Sequence, residues 1–225
     1  MNRTAIAALL TGSALLGATY LMRRRPQITK ALPSNVIPII TPVIDLGVAE
    51  DVLEAMAQLD GGEVTLVLHT AGGCVTSCVL IANALREFRV SKAVVPYMAM
   101  SGGTMIALNA DLLEMGASAA LSAVDPVIGG IRARHLQADD KDPALKALAS
   151  EYEEAIGKYL EETIRARLSH ADKEAIERAY DVFIGEHAPH EWPIRRPEVA
   201  ALGFPVSPAK RSWGMMVDAY RKRWW

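Results

Sequence analysis

Ser101 is the residue around which chemistry can be built. It stands between a β-rich apolar run, Val94-Val95-Pro96-Tyr97-Met98-Ala99-Met100, and Gly102-Gly103-Thr104, after which Met105-Ile106-Ala107-Leu108-Asn109-Ala110 reads as helix. A strand, a sharp turn and a helix place the hydroxyl at a helix start, where the first N–H groups lack intrahelical partners. A serine there, with an N–H donor beside it to receive a developing oxyanion, can attack a carbonyl carbon. The plainer use of the same serine is as an N-cap, a position serine favours. A second glycine pair, Gly72-Gly73, follows His69-Thr70-Ala71 at the end of another apolar run. The N–H groups of Gly73 and Gly102 can converge on one oxygen if the two runs are neighbouring strands.

Those runs belong to an alternating pattern. Val36 to Ile44 reads as a strand that Pro38 and Pro42 confine to an edge or make irregular. Val48 to Leu59 carries apolar residues at 48, 52, 56 and 59, the spacing of an amphipathic helix, and Gly61-Gly62 stops it. Glu63 to His69 is a second strand, apolar along its length as a buried parallel strand is. Cys74 to Phe88 is helical, and Ala93 to Tyr97 is a third strand. This βαβαβα order implies a parallel sheet with right-handed crossovers, whose ligands sit beyond the carboxyl ends of the strands. Both glycine turns lie at such ends.

Further on, Leu112 to Met115 and Ala120 to Val124 read as short strands, the latter leading into Asp125-Pro126. Ile131 to Lys141 reads as a polar, mobile stretch. Asp142 then caps a long helix with Pro143 at its first position, and the stripe Leu145, Leu148, Tyr152, Ile156, Tyr159 and Thr163 is expected to face inward. Ser169 is expected to open another helix that ends at Gly185, and Pro197 to Leu202, stopped by Gly203, a short last one.

The termini have a different character. From Thr4 to Met22 the chain is uncharged and mostly apolar, and Arg23-Arg24-Arg25-Pro26 follows. As a helix this run spans roughly 28 Å, about one bilayer core. Residues 1–25 are therefore expected to be a single-pass transmembrane anchor; a cleaved signal is the competing reading, against which stands the run of arginines directly after the apolar core. Arg23, Arg24, Arg25 and Lys30 outweigh Arg3, which places the following domain on the cytoplasmic side. Residues 26–35 form a linker, 36–206 the folded domain and 207–225 an amphipathic tail. In that tail Trp213, Met216, Val217, Tyr220 and Trp224 recur at helical spacing beside Arg221-Lys222-Arg223, a pattern that suits a membrane interface or packing against protein.

Composition removes several classes of function. The 225 residues carry a net charge of −2, so nothing suggests a nucleic-acid partner. No metal cluster, phosphate loop or nucleotide fingerprint is present, and no cofactor is expected. Cys74 and Cys78, the two cysteines, read as small buried thiols rather than as a disulfide framework.

On His69-Thr70-Ala71-Gly72-Gly73, Pro96 through Thr104, Asp125-Pro126, His190-Glu191-Trp192-Pro193-Ile194 and Leu202-Gly203, the chain resembles the serine dehydrogenase proteinase family. That family is part of the group that includes the Clp protease proteolytic subunit and signal peptide peptidase A. The resemblance implies a Clp/crotonase-type α/β fold with a helical C-terminal part. It implies Ser101 as nucleophile, Gly73 and Gly102 as oxyanion donors, a peptide or membrane-protein substrate, and a homo-oligomer. The Clp histidine falls at Val124, so a Clp-type Ser-His-Asp triad is not expected. The related membrane peptidases use a Ser-Lys dyad, and a lysine base must have its pKa lowered from about 10.4 towards 7–8. Lys141, in the loop before the helix cap, is the first choice. Lys146 and Lys158 lie off the apolar stripe, and His190 serves equally as a base or as a structural hydrogen-bonder. His69 is expected to shape the site rather than act. Two other functions stay open: a crotonase-like thioester enzyme using the same oxyanion hole, and an inactive membrane scaffold.

Overall fold

The computed structural model of the protein describes residues 32–59, 61–137 and 142–224. The expected anchor at residues 1–25 lies outside them, and among the described residues no helix is long and apolar enough to cross a membrane.

Five strands form a parallel sheet: β1 (Val36–Ile40), β2 (Glu63–His69), β3 (Val90–Val95), β5 (Leu112–Met115) and β10 (Val206–Pro208), in the spatial order β1-β2-β3-β5-β10. β1 is an edge strand, which is where Pro38 can sit without interrupting a ladder on both sides. β2 is flanked on both sides, and Val64, Leu66, Val67 and Leu68 are all buried, which explains its unbroken apolar run. A smaller sheet holds β4 (Met98–Ala99), β6 (Ala120–Leu121) and β9 (Ile194–Arg195), with β4 parallel and β9 antiparallel to β6. The apolar run from Val94 to Met100 is thus divided, and the expected third strand, Ala93 to Tyr97, stops two residues early. β3 ends at Val95, Pro96 turns the chain, and the two residues that lead to Ser101 pair in another sheet.

The helices follow local chemistry. Asp45 accepts the Val48 N–H at 2.9 Å and starts α1 (Leu46–Ala57). α2 (Val75–Leu85) packs on α1 and on α3 (Gly102–Asn109), every residue of which is buried. That enclosure is why α3 shows no amphipathic stripe in sequence. The stretch expected to be polar and mobile after Gly130 is instead a hairpin, β7 (Val127–Ile128) with β8 (Ile131–Arg132), and a short helix, α4 (Ala133–Gln137). Ala133 and Leu136 form a small core of their own with Ala149, too few apolar residues to register as a pattern.

α5 (Pro143–Arg167) begins as expected, with Asp142 accepting the N–H groups of Ala144 and Leu145 at 3.1 Å. Its stripe is only half right. Ile156, Leu160, Thr163 and Ile164 are buried, whereas Leu148 is 41% and Tyr152 39% exposed, because the N-terminal half of the helix meets the main core at few positions. α6 (Lys173–Phe183) is capped by Asp172, which accepts the Ala175 N–H at 2.7 Å, and not by Ser169; Leu168 to Ala171 form a turn before it. α7 (Arg196–Ala201) precedes Gly203, and α8 (Arg211–Trp224) closes the described chain. On α8, Val217 is fully buried while Trp213, Met216 and Tyr220 are half-buried, so these four members of the stripe pack against the chain's own domain. Tyr97 donates to Asp218 at 2.9 Å across the same contact.

Candidate active site

The chain reaches Ser101 from β4 and leaves it into α3. Ser101 has φ 50° and ψ −117°, and among the described residues it alone has a positive φ without being glycine. A non-glycine residue held there stores on the order of 1–3 kcal/mol of strain. Three bonds hold it. The Ser101 N–H donates to Ser122 Oγ at 2.8 Å, Ser122 N–H donates to Thr104 Oγ1 at 2.9 Å, and Thr104 Oγ1–H donates to the Ala99 carbonyl at 2.7 Å. Ser122 and Thr104 are fully buried. The Ser101 hydroxyl does not cap α3, so the plainer use of this serine is not what the structure contains.

The second glycine turn is sewn to this corner. The Thr70 N–H donates to the Met98 carbonyl at 3.2 Å and the Met100 N–H to the Thr70 carbonyl at 3.0 Å. Gly72, at φ +106°, lies so near Ser101 that a Cβ on it would fall 2.8 Å from Ser101 Cβ. A side chain is excluded there by both conformation and space. Ile44 brackets the next residue, donating to the Gly72 carbonyl at 2.7 Å and accepting the Cys74 N–H at 2.8 Å. Gly73 and Gly102 are neighbours: a Cβ on Gly102 would lie 3.6 Å from the Gly73 nitrogen and 2.2 Å from Cys78 Sγ. Two backbone nitrogens therefore stand together beside the serine, an arrangement able to stabilise negative charge on a carbonyl oxygen under attack.

The candidate bases are distributed differently. Lys141 lies outside the described residues. Lys146 and Lys158 are exposed on α5. Val124, at the Clp histidine position, is buried and cannot act. His190 Nδ1 is 2.8 Å from Asp125 Oδ1, and Arg132 Nε is 2.5 Å from Asp125 Oδ2. Burial alone would push the Asp125 carboxyl up. The hydrogen bonds and charges of His190 and Arg132 outweigh it and hold the group below the usual carboxylate range. Arg132 also donates to the Gly185 and Ala188 carbonyls at 2.5 and 2.9 Å, which ties β8 to the loop after α6. His69 sits at the end of β2 with its ring edge-on to Tyr97, centroids 5.9 Å apart. Burial, then the Arg221 charge, lowers its pKa against the opposing pull of Asp218.

Sequence reading did not single out Ser122, Thr104 or Arg132. Ser122 lies in a run of small residues and Thr104 inside a helix start, and neither position differs locally from an ordinary one. Arg132 fell in the stretch read as mobile.

The chain is similar to several known proteins. Two uncharacterized proteins of Methanocaldococcus jannaschii are 29% identical over 170 residues and 30% identical over 169 residues, covering 70% and 71% of this chain. The chain spans only 58% and 57% of their length. Among solved structures, ClpP1 from Listeria monocytogenes superimposes with a TM-score of 0.54 at 16% identity, over 80% of this chain and 95% of that one. A mutant of the 1510-N membrane-bound stomatin-specific protease does so with a TM-score of 0.54 at 15% identity, over 81% of each chain. These likenesses show the fold. Residues 22–212 match the family described as ClpP-like SDH-type serine proteinase, and the chain belongs to that family.

Proposed function

We propose that the protein is a membrane-anchored serine peptidase that cleaves peptide bonds by acyl transfer. Ser101 Oγ attacks the scissile carbonyl, and the N–H groups of Gly73 and Gly102 receive the oxyanion. Lys141, as the neutral amine, takes the hydroxyl proton and passes it to the leaving amine; water then releases the acyl group by the same route in reverse. Family membership supports the peptidase reading. The observation that carries it is Ser101 itself, a non-glycine residue held at φ 50° beside two glycine nitrogens with its hydroxyl uncommitted to the helix cap. Strain of this kind persists where the surroundings over-determine it, and it gathers at reactive groups.

The apolar run from Thr4 to Met22 supports anchoring, as does the likeness to a protease named as membrane-bound, and Arg23, Arg24, Arg25 and Lys30 after the run support a domain on the cytoplasmic face. A homo-oligomer accompanies this reading through the family. One observation favours a second reading of the base. His190 Nδ1 is bonded to a buried carboxylate, which directs the other ring nitrogen away from Asp125 and fixes the tautomer, as in a His-Asp pair.

The test is labelling of detergent-solubilised full-length protein by a fluorophosphonate. The wild type should be labelled once, at Ser101, and Ser101→Ala not at all; labelling that survives in Ser101→Ala overturns the assignment. Absence of labelling in a folded wild type favours the inactive scaffold.

A further inference from the structure

We propose that Tyr97 and Asp218 are positioning residues of the candidate active site: through their hydrogen bond, α8 holds the turn at Ser101 and the Gly72-Gly73 turn in place. The effect on reactivity rests on reading Ser101 as the nucleophile; the hold on the two turns does not.

Ser101 needs a fixed approach. A non-glycine residue stays at φ 50° only where its surroundings over-determine the conformation. Downstream, the buried helix α3 supplies that constraint. Upstream there is little to supply it, because β4 has only two residues and follows the turn at Pro96. Tyr97 stands directly before β4, and its carbonyl accepts the Ala120 N–H at 3.0 Å. Any freedom of Tyr97 passes along a short segment to Ser101.

The Tyr97 side chain reaches the second turn as well. Its ring meets His69 edge-on. His69 is followed by Thr70, which is bonded to Met98 and Met100, and then by the Gly72-Gly73 turn. His69 Nδ1 is buried without a hydrogen-bond partner among the described residues, so packing against Tyr97, and not a bond at that nitrogen, restrains the ring. A shift of Tyr97 therefore reaches Ser101 along the backbone and Gly73 through His69.

Tyr97 is itself 38% exposed, and a phenol at the surface has no fixed place unless something holds it. α8 does so. Tyr97 Oη donates to Asp218 Oδ2 at 2.9 Å, and Gly214, one turn earlier on the helix, leaves room for the phenol: a Cβ there would fall 2.9 Å from Oη and 3.3 Å from Cζ. Val217, fully buried, seats the helix on the domain. The family match ends at residue 212, so it does not account for this hold.

The test uses the full-length protein in detergent and two readouts. The first is the rate of fluorophosphonate labelling against probe concentration. Tyr97→Phe and Asp218→Ala should each lower the limiting rate at least about threefold, the order of one lost hydrogen bond, with the half-saturating concentration little changed. The double variant should be no slower than either single one, since both remove the same bond. Asp218→Asn, which keeps an acceptor for the phenol, should recover most of the rate. Gly214→Ala should slow labelling although alanine is the better helix former, because its methyl group displaces the phenol.

The second readout is amide hydrogen exchange, which does not depend on catalysis. The N–H groups of Thr70 and Met100, which join the two turns, should exchange at least about threefold faster in Asp218→Ala, while that of Val90, bonded to the Gly62 carbonyl at the other end of β3, keeps its wild-type rate.

Wild-type labelling in Tyr97→Phe and Asp218→Ala, or equal slowing by Asp218→Asn and Asp218→Ala, overturns the positioning role. Exchange at Thr70 and Met100 that is unchanged, or that rises together with Val90, overturns the hold by α8. If the folded wild type is never labelled, the peptidase reading fails and the effect on reactivity with it, while the exchange rates still decide whether α8 holds the two turns.

Discussion

The Ser122 hydroxyl accepts the Ser101 backbone N–H at 2.8 Å, and this bond ties the end of β6 to the one strained non-glycine turn among the described residues. Both groups are shielded from solvent on the Ser122 side, so loss of the acceptor leaves a donor unsatisfied at a cost of about 1–3 kcal/mol. Ser122→Ala should lower stability by that order in urea and slow fluorophosphonate labelling of Ser101, while Ser122→Thr, which restores the oxygen, should recover part of both. Equal labelling rates in wild type and Ser122→Ala would show that this bond does not hold the nucleophile in place.

Ser101→Gly removes the nucleophile and also the conformational strain, since glycine accepts positive φ without a Cβ penalty. The expectation is a variant without labelling whose stability stays level with or exceeds that of Ser101→Ala by about 1 kcal/mol. A glycine variant less stable than the alanine variant in thermal unfolding would mean that the positive φ is not a strained feature.

The two candidate bases can be separated. Lys141→Ala should abolish labelling at neutral pH with little change in stability, and labelling should return as pH is raised and hydroxide substitutes for the amine. His190→Ala should instead lower stability, because it removes a partner of buried Asp125, and leave the labelling of the folded fraction near the wild-type value. The opposite pattern makes His190 the base.

Asp125 should govern part of the acid response. Its carboxyl is fully buried between Arg132 and His190 and titrates below its unfolded value of about 3.9. For a depressed carboxylate, the stabilisation is complete above the unfolded pKa and is lost as pH falls from there through the folded pKa. Stability should therefore decline below about pH 4 in the wild type and be flatter in Asp125→Asn. At neutral pH Asp125→Ala should cost about 3 kcal/mol, the low end for a broken buried pair because Arg132 and His190 keep some exposure. An identical acid slope in the asparagine variant would assign that slope to other carboxylates.

What the sequence determined by itself are features that depend on near neighbours. β2 spans Glu63 to His69 as its apolar run indicates, Asp142 with Pro143 starts α5, and Pro38 marks an edge strand, because a burial pattern, a cap and a missing N–H each act within a few residues. The turn at Ser101 and the glycines after β2 were legible for the same reason. The tertiary structure alone decided the rest. The bond from Ser101 to Ser122 joins residues 21 apart, that from Asp125 to His190 residues 65 apart, and that from Tyr97 to Asp218 residues 121 apart. Which hydroxyl meets which N–H across such separations follows from how the two sheets and α3 pack, and packing of that kind leaves no period in the chain. The division of the apolar run Val94 to Met100 at Pro96 has the same origin: both sides of Pro96 are apolar, and only the positions of β5 and β6 assign them to different sheets.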